Sequence, residues 1–115
     1  MSDDQRKYPR RHLFYYLEVL DLPSNQVIGR LVDITPIGMM LISTKEFPEH
    51  KSVRLRLCLP QEFTAADHID LQGESVWCHK DVNPDYYAIG FCFDAITLEQ
   101  GNLINLVVKE LGFRD

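Results

Sequence analysis

No stretch of this 115-residue chain approaches the roughly 18 consecutive apolar residues of a membrane span. Its polar start, MSDDQRK, lacks the apolar stretch of a secretory signal. Neither membrane insertion nor export is expected, and the cytoplasm is the expected location. Cysteines are few. Cys58, Cys78 and Cys92 are odd in number and share no CxxC spacing, so neither a disulfide framework nor a zinc site is suggested. They read as reduced, part-buried packing residues. His12, His50, His68 and His79 fall in different predicted elements, with no spacing that would bring two together as metal ligands, so no metal is expected. No serine or cysteine stands in a nucleophile motif, and no glycine-rich loop opens a helix to cradle phosphates. Catalytic residues are therefore not assigned, and no enzyme is expected. Internal repeats and low-complexity segments are also missing.

What is present suits one globular domain. Apolar residues make up 45% of the chain and charged residues 25%, ordinary for a folded protein of this length. The formal net charge is -5, yet Arg6, Lys7, Arg10 and Arg11 crowd the first part of the chain. A flexible basic arm over 1–11 is thus expected to precede an acidic domain over 12–115. An acidic body disfavours broad binding to DNA or RNA backbones, whose strength rests on many neutralised phosphates. A small anionic ligand suits it better.

Strand signals dominate the domain. His12 to Leu20 (HLFYYLEVL) is rich in aromatic and branched residues and ends at the turn-forming DLPSN. Val27–Asp33 and Gly38–Thr44 read as two further strands with a tight connection at Thr35-Pro36. In Ser52–Leu59, Val53, Leu55, Leu57 and Leu59 alternate with Arg54, Arg56 and Cys58, the period of two of a half-buried strand. Ile69–His79 follows, with Gly73 as a possible bulge, and Tyr86–Phe93, almost wholly apolar, reads as a central strand. Thr97 and Gln100 then form a capping-box pair, and Leu103, Ile104, Val107, Val108 and Leu111 recur at helical spacing up to Gly112. Six strands and one terminal helix without βα alternation predict a mainly β fold, an antiparallel barrel closed by the helix.

Two short motifs carry the chemistry. Arg6 and Arg10 form an RxxxR pair just before the first strand; each guanidinium is a planar fork of donors that can grip guanine O6 and N7, pair with phosphate or stack on a base. Asp33-Ile34-Thr35-Pro36-Ile37-Gly38 forms a DxTxxG turn between the second and third strands. Its carboxylate can accept from guanine N1 and N2 donors, its hydroxyl can bond phosphate, and its glycine permits close backbone approach.

With RxxxR before the first strand and [DN]-x-[ST]-x-x-G between the next two, the sequence resembles the PilZ family. The resemblance extends through Ser75-Val76-Trp77, Ile89-Gly90-Phe91 and the closing helix. It implies a six-stranded antiparallel PilZ-type β-barrel with a C-terminal α-helix, acting as a receptor for the bacterial second messenger cyclic di-GMP. Arg6, Arg10, Asp33, Thr35 and Gly38 are the implied ligand contacts, with Trp77 as a further candidate for stacking a guanine. Gln5 stands where many members have another arginine, and Thr35 replaces the commoner serine. With no second domain, the implied output is an effector protein recognised when ligand orders the arm, the chain acting as a monomer or a ligand-linked dimer. No cofactor is expected beyond the ligand. The alternatives are a PilZ-like interaction adaptor that no longer binds the messenger, as in type IV pilus assembly, and a small barrel enzyme such as a flavin-dependent reductase.

Overall fold

The computed structural model describes residues 17–60 and 66–111. Arg6, Arg10 and the expected arm lie outside the described residues, as does most of the first predicted strand. Six strands follow in order: β1 Glu18–Asp21, β2 Gln26–Thr35, β3 Gly38–Ser43, β4 Ser52–Cys58, β5 His68–Lys80 and β6 Tyr87–Phe93. The helix α1 spans Leu98–Leu111. All pairings are antiparallel, and the order β1-β2-β3-β6-β5-β4 closes into a barrel. The expected mainly β barrel with a terminal helix is the observed fold. No helix among the described residues is long and apolar enough to cross a membrane.

The alternation legible in β4 sets the barrel's inside. Val53, Leu55 and Leu57 point inward and are buried, while Ser52, Arg54 and Arg56 face out. Leu41, Leu55, Leu57 and Ile89, each with no exposed surface, lie at the centre of one continuous core. Burying a side chain of this size contributes about 1.5–3 kcal/mol, so this interior is the main stabilising feature. Closure satisfies every strand edge, which an open sheet of this length would leave exposed. β6 lies between β3 and β5, consistent with its apolar sequence.

The capping box predicted at α1 is present. Thr97 N donates to Gln100 Oε1 at 2.7 Å, and Gln100 N donates to Thr97 Oγ1 at 3.0 Å. Gln100 Nε2 also donates to Asp70 O at 2.7 Å, tying the first helical turn to the start of β5. The helix packs against β2 and β5, which stand opposite each other in the six-strand ring. It therefore lies across one mouth of the barrel, with its own Ile104 and Val107 fully buried against the core. The β2–β3 turn and the start of β1 belong to the same end, since Leu17 O accepts from Leu31 N at 2.8 Å.

Two expectations are corrected. The bulge anticipated at Gly73 lies between Ser75 and Trp77 instead, with Val76 as the extra residue. Gly73 sits in regular register, where a Cβ would meet Cys92 O at 2.7 Å. Cys58 and Cys78 are part-buried as expected, whereas Cys92 is exposed, because it falls on the outward side of β6. All three are free thiols, and burial pushes the Cys58 pKa up.

Candidate functional site

The DxTxxG segment forms the end of β2, a two-residue turn at Pro36-Ile37 and the start of β3, with Thr35 paired to Gly38. Proline suits this position because its fixed φ matches the first central residue of common turns. Thr35 Oγ1 accepts from Ile37 N at 3.2 Å, which secures the turn and still leaves the hydroxyl proton to donate. Asp33 Oδ1 accepts from Ile34 N at 2.9 Å, holding the carboxylate against its own backbone. Asp33, Ile34, Thr35, Gly38, Met39 and Met40 line a shallow depression of about 170 Å³.

Gly38 proves to be required by the fold itself. A Cβ there would lie 2.3 Å from the Phe91 carbonyl oxygen on the neighbouring strand, closer than any real contact. At this glycine β3 and β6 therefore approach too closely for any side chain.

Asp33 faces outward because of a bulge. Leu31 pairs with Leu41 and Asp33 with Met40, leaving Val32 as an extra residue. Since successive strand residues point to opposite faces, one extra residue reverses the parity of all that follow. Leu31 is buried, and two positions on Asp33 is exposed while Ile34 is buried. The bulge at Val76 has the same effect on β5. Gly73 and Ser75 are buried, yet Trp77 lies on the outward side opposite Gly90.

The pairings align these residues into rows across four adjacent strands. One row runs Asp33, Met40, Gly90, Trp77; the next toward the helix-capped end runs Thr35, Gly38, Cys92, Glu74; the next away from it runs Arg30, Ile42, Ala88, His79. Neighbouring strands stand about 4.8 Å apart, so Asp33 and Trp77 are separated by roughly 14 Å, with Met40 and Gly90 between them. Trp77 narrows that gap, because its indole lies over Gly90, where a Cβ would meet ring atoms at 2.3 to 2.6 Å. The ring is half-buried and stacks on His79, with centroids 4.7 Å apart and planes 10° from parallel.

Backbone groups of the loop after β3, together with its Glu49 carboxylate, hold this part of β5 in place. Ser75, the buried polar residue beside the bulge, donates from Oγ to Pro48 O at 2.5 Å and accepts from Lys51 N at 3.0 Å. His50 N donates to Ser75 O at 2.6 Å and Cys78 N to Glu49 Oε2 at 3.0 Å. His50 adopts a left-handed φ of 62°, a strained choice outside glycine that turns the loop back toward β5. The strand carrying Trp77 is thereby fastened on both sides.

A family model for the PilZ domain matches residues 4–109. The chain belongs to the PilZ domain family. Among solved structures, it is similar to the PilZ domain of YcgR from Escherichia coli, solved with c-di-GMP, at 14% identity and a TM-score of 0.64, covering 84% of this chain and 81% of that one. It is also similar to the Bacillus subtilis inhibitor of motility MotI (DgrA), at 16% identity and a TM-score of 0.68. That match covers 88% of this chain but only 50% of MotI, so the chain spans about half the length of that protein. No curated protein matches the chain by sequence.

Of the residues singled out from sequence, this PilZ barrel brings Asp33, Thr35, Gly38 and Trp77 onto one outward face, and Arg6 and Arg10 lie outside the described residues. Trp77 is not a core aromatic. Sequence reasoning missed His79 and the part played by Gly90. The spacing of two between Trp77 and His79 was the available signal, since such residues share one face of a strand.

Proposed function

We propose that this PilZ domain is a non-enzymatic cytoplasmic receptor for cyclic di-GMP. The observation that carries this reading is the single row placing Asp33 and Trp77 on one outward face, with the Thr35–Gly38 turn beside it. In this reading the Asp33 carboxylate accepts from the N1 and N2 donors of a guanine, the Thr35 hydroxyl donates to a phosphate, and Trp77 stacks a base. Arg6 and Arg10 supply the positive charge for guanine acceptors and phosphates. Seven residues separate Arg10 from Leu17 in sequence number, a span of at most about 24 Å when extended. That reach exceeds the roughly 14 Å width of the face, and β1 starts at the same barrel end as the turn.

Ligand would draw the basic arm across this face and create a surface for an effector protein, the energy coming from the ligand's preference for the closed arrangement. The likeness to YcgR, solved with c-di-GMP, and to MotI, named for inhibiting motility, supports a receptor of this kind acting in motility.

Calorimetric titration with cyclic di-GMP tests the reading. Wild type is expected to bind, and Arg6→Ala, Arg10→Ala and Asp33→Ala are each expected to weaken binding at least tenfold. Tenfold corresponds to about 1.4 kcal/mol, just under the roughly 1.5–3 kcal/mol usual for a hydrogen bond to a charged group. An absence of heat at high micromolar ligand sinks the receptor reading. Binding that survives all three substitutions leaves the receptor but refutes the site.

A further inference from the structure

His79 is absent from the motifs, yet it makes the closest ring contact of the face. Its imidazole stacks nearly parallel on the Trp77 indole, 4.7 Å between centroids and 10° between planes. His79 and Trp77 point outward from alternate positions of β5, opposite Ala88 and Gly90 respectively. The small residues opposite them leave room for both rings. His79 Nδ1 lies 3.2 Å from Lys80 O, a contact that restrains the imidazole. One face of the indole is thus covered by a ring that is itself held.

We propose that His79 is the positioning residue for Trp77, the base of a three-ring stack of imidazole, indole and purine, so that Trp77 presents a single face to ligand. This rests on the cyclic di-GMP reading for the identity of the purine, but the ring geometry of the free protein does not depend on it. A ligand that must order an aromatic side chain loses affinity to the cost of immobilising it. A ring already held by a neighbour avoids that cost. Because one indole face is taken, Trp77 stacks one base and cannot be sandwiched between two.

The chain contains one tryptophan, so its fluorescence reports this ring without ambiguity. The test uses full-length His79→Ala and His79→Phe with two readouts. In ligand-free protein, time-resolved anisotropy is expected to show a larger nanosecond component for the Trp77 ring in His79→Ala and wild-type behaviour in His79→Phe, which keeps a flat stacking partner. In calorimetric titration with cyclic di-GMP, His79→Ala is expected to bind about three- to tenfold more weakly, the scale of one aromatic pair, and His79→Phe within about twofold of wild type. Unchanged anisotropy in His79→Ala overturns the proposal, as does an anisotropy change without loss of affinity or a failure of His79→Phe to restore both. If wild type binds no cyclic di-GMP, the receptor reading fails and the three-ring stack falls with it. The free-protein anisotropy still decides whether His79 holds the indole.

Discussion

Two glycines on the outward face are required for different reasons, and substitution separates them. At Gly38 an added Cβ meets the backbone carbonyl of Phe91, whereas at Gly90 it meets the Trp77 ring. Backbone inside a closed barrel cannot withdraw without breaking its ladder, so Gly38→Ala is expected to cost about 1–3 kcal/mol, read as a lower urea midpoint. A near-neutral result would show that β3 and β6 can part without penalty. Gly90→Ala should leave the midpoint closer to wild type, because a side chain can swing outward, and should red-shift the single tryptophan's emission as the ring enters water. Away from the Asp33–Trp77 row, Arg56 Nε and Nη2 donate to Asp70 at 2.7 and 3.0 Å across β4 and β5. This bidentate pair holds the Asp70 carboxyl below its ordinary value of 3.8. A lowered folded-state pKa stabilises above the unfolded value and is lost as pH falls through the folded one. The stability difference between wild type and Asp70→Asn should therefore be steady near neutrality and close below about pH 4. A gap unchanged at pH 2 to 3 would remove the pair from the account. Both side chains are partly exposed, so the gap is expected to be small and to shrink in high salt.

At the scale of elements, α1 depends on a local signal and a distant contact. Thr97→Ala removes the acceptor for Gln100 N and is expected to cost about 0.5–2 kcal/mol, measured by urea unfolding. Gln100→Ala loses the reciprocal bond and also the link to Asp70 O, so it should cost at least as much; a smaller loss would mean that the link to β5 carries no weight. The helix was legible because capping and 3.6-residue periodicity are local properties. The strands were legible for the same reason, above all β4 with its strict alternation. The outward aim of Asp33 and Trp77 was not. Counting by twos from Leu31 reaches Asp33 as an inward residue, and from Gly73 through Ser75 it reaches Trp77 likewise. Each count fails at a bulge, at Val32 and Val76, and a bulge is fixed by the partner strand's register and by loops such as 48–51. Motif spacing found the turn at Asp33–Gly38 without help from parity, whereas the reason for Gly38 needed the position of Phe91.

Taken whole, the barrel has a marked front and an unmarked back. The front is the four-strand face β2-β3-β6-β5 bearing the Asp33–Trp77 row; the back is formed by β1 and β4, which pair with each other and carry none of the candidate contacts. Both the β2–β3 turn and the entry into β1 at Leu17 lie at the mouth crossed by α1, so the described chain begins at the same end as the turn. A ligand that binds only the folded chain also raises its stability by mass action, about 2.7 kcal/mol at a hundredfold excess over Kd. This global effect reaches only amides that exchange through full unfolding, whereas direct cover acts on those that open locally. Hydrogen exchange with and without cyclic di-GMP can therefore locate the site. Slower exchange is expected in residues 1–16, in the 35–38 turn and over 76–80, already at early times when core amides have not begun to exchange. Residues 52–58 should be unaffected at those times. Early protection of 52–58 would put the ligand on the back and refute the Asp33–Trp77 face. Protection of the turn and of 76–80 without any in 1–16 would keep the site and remove the arm from it.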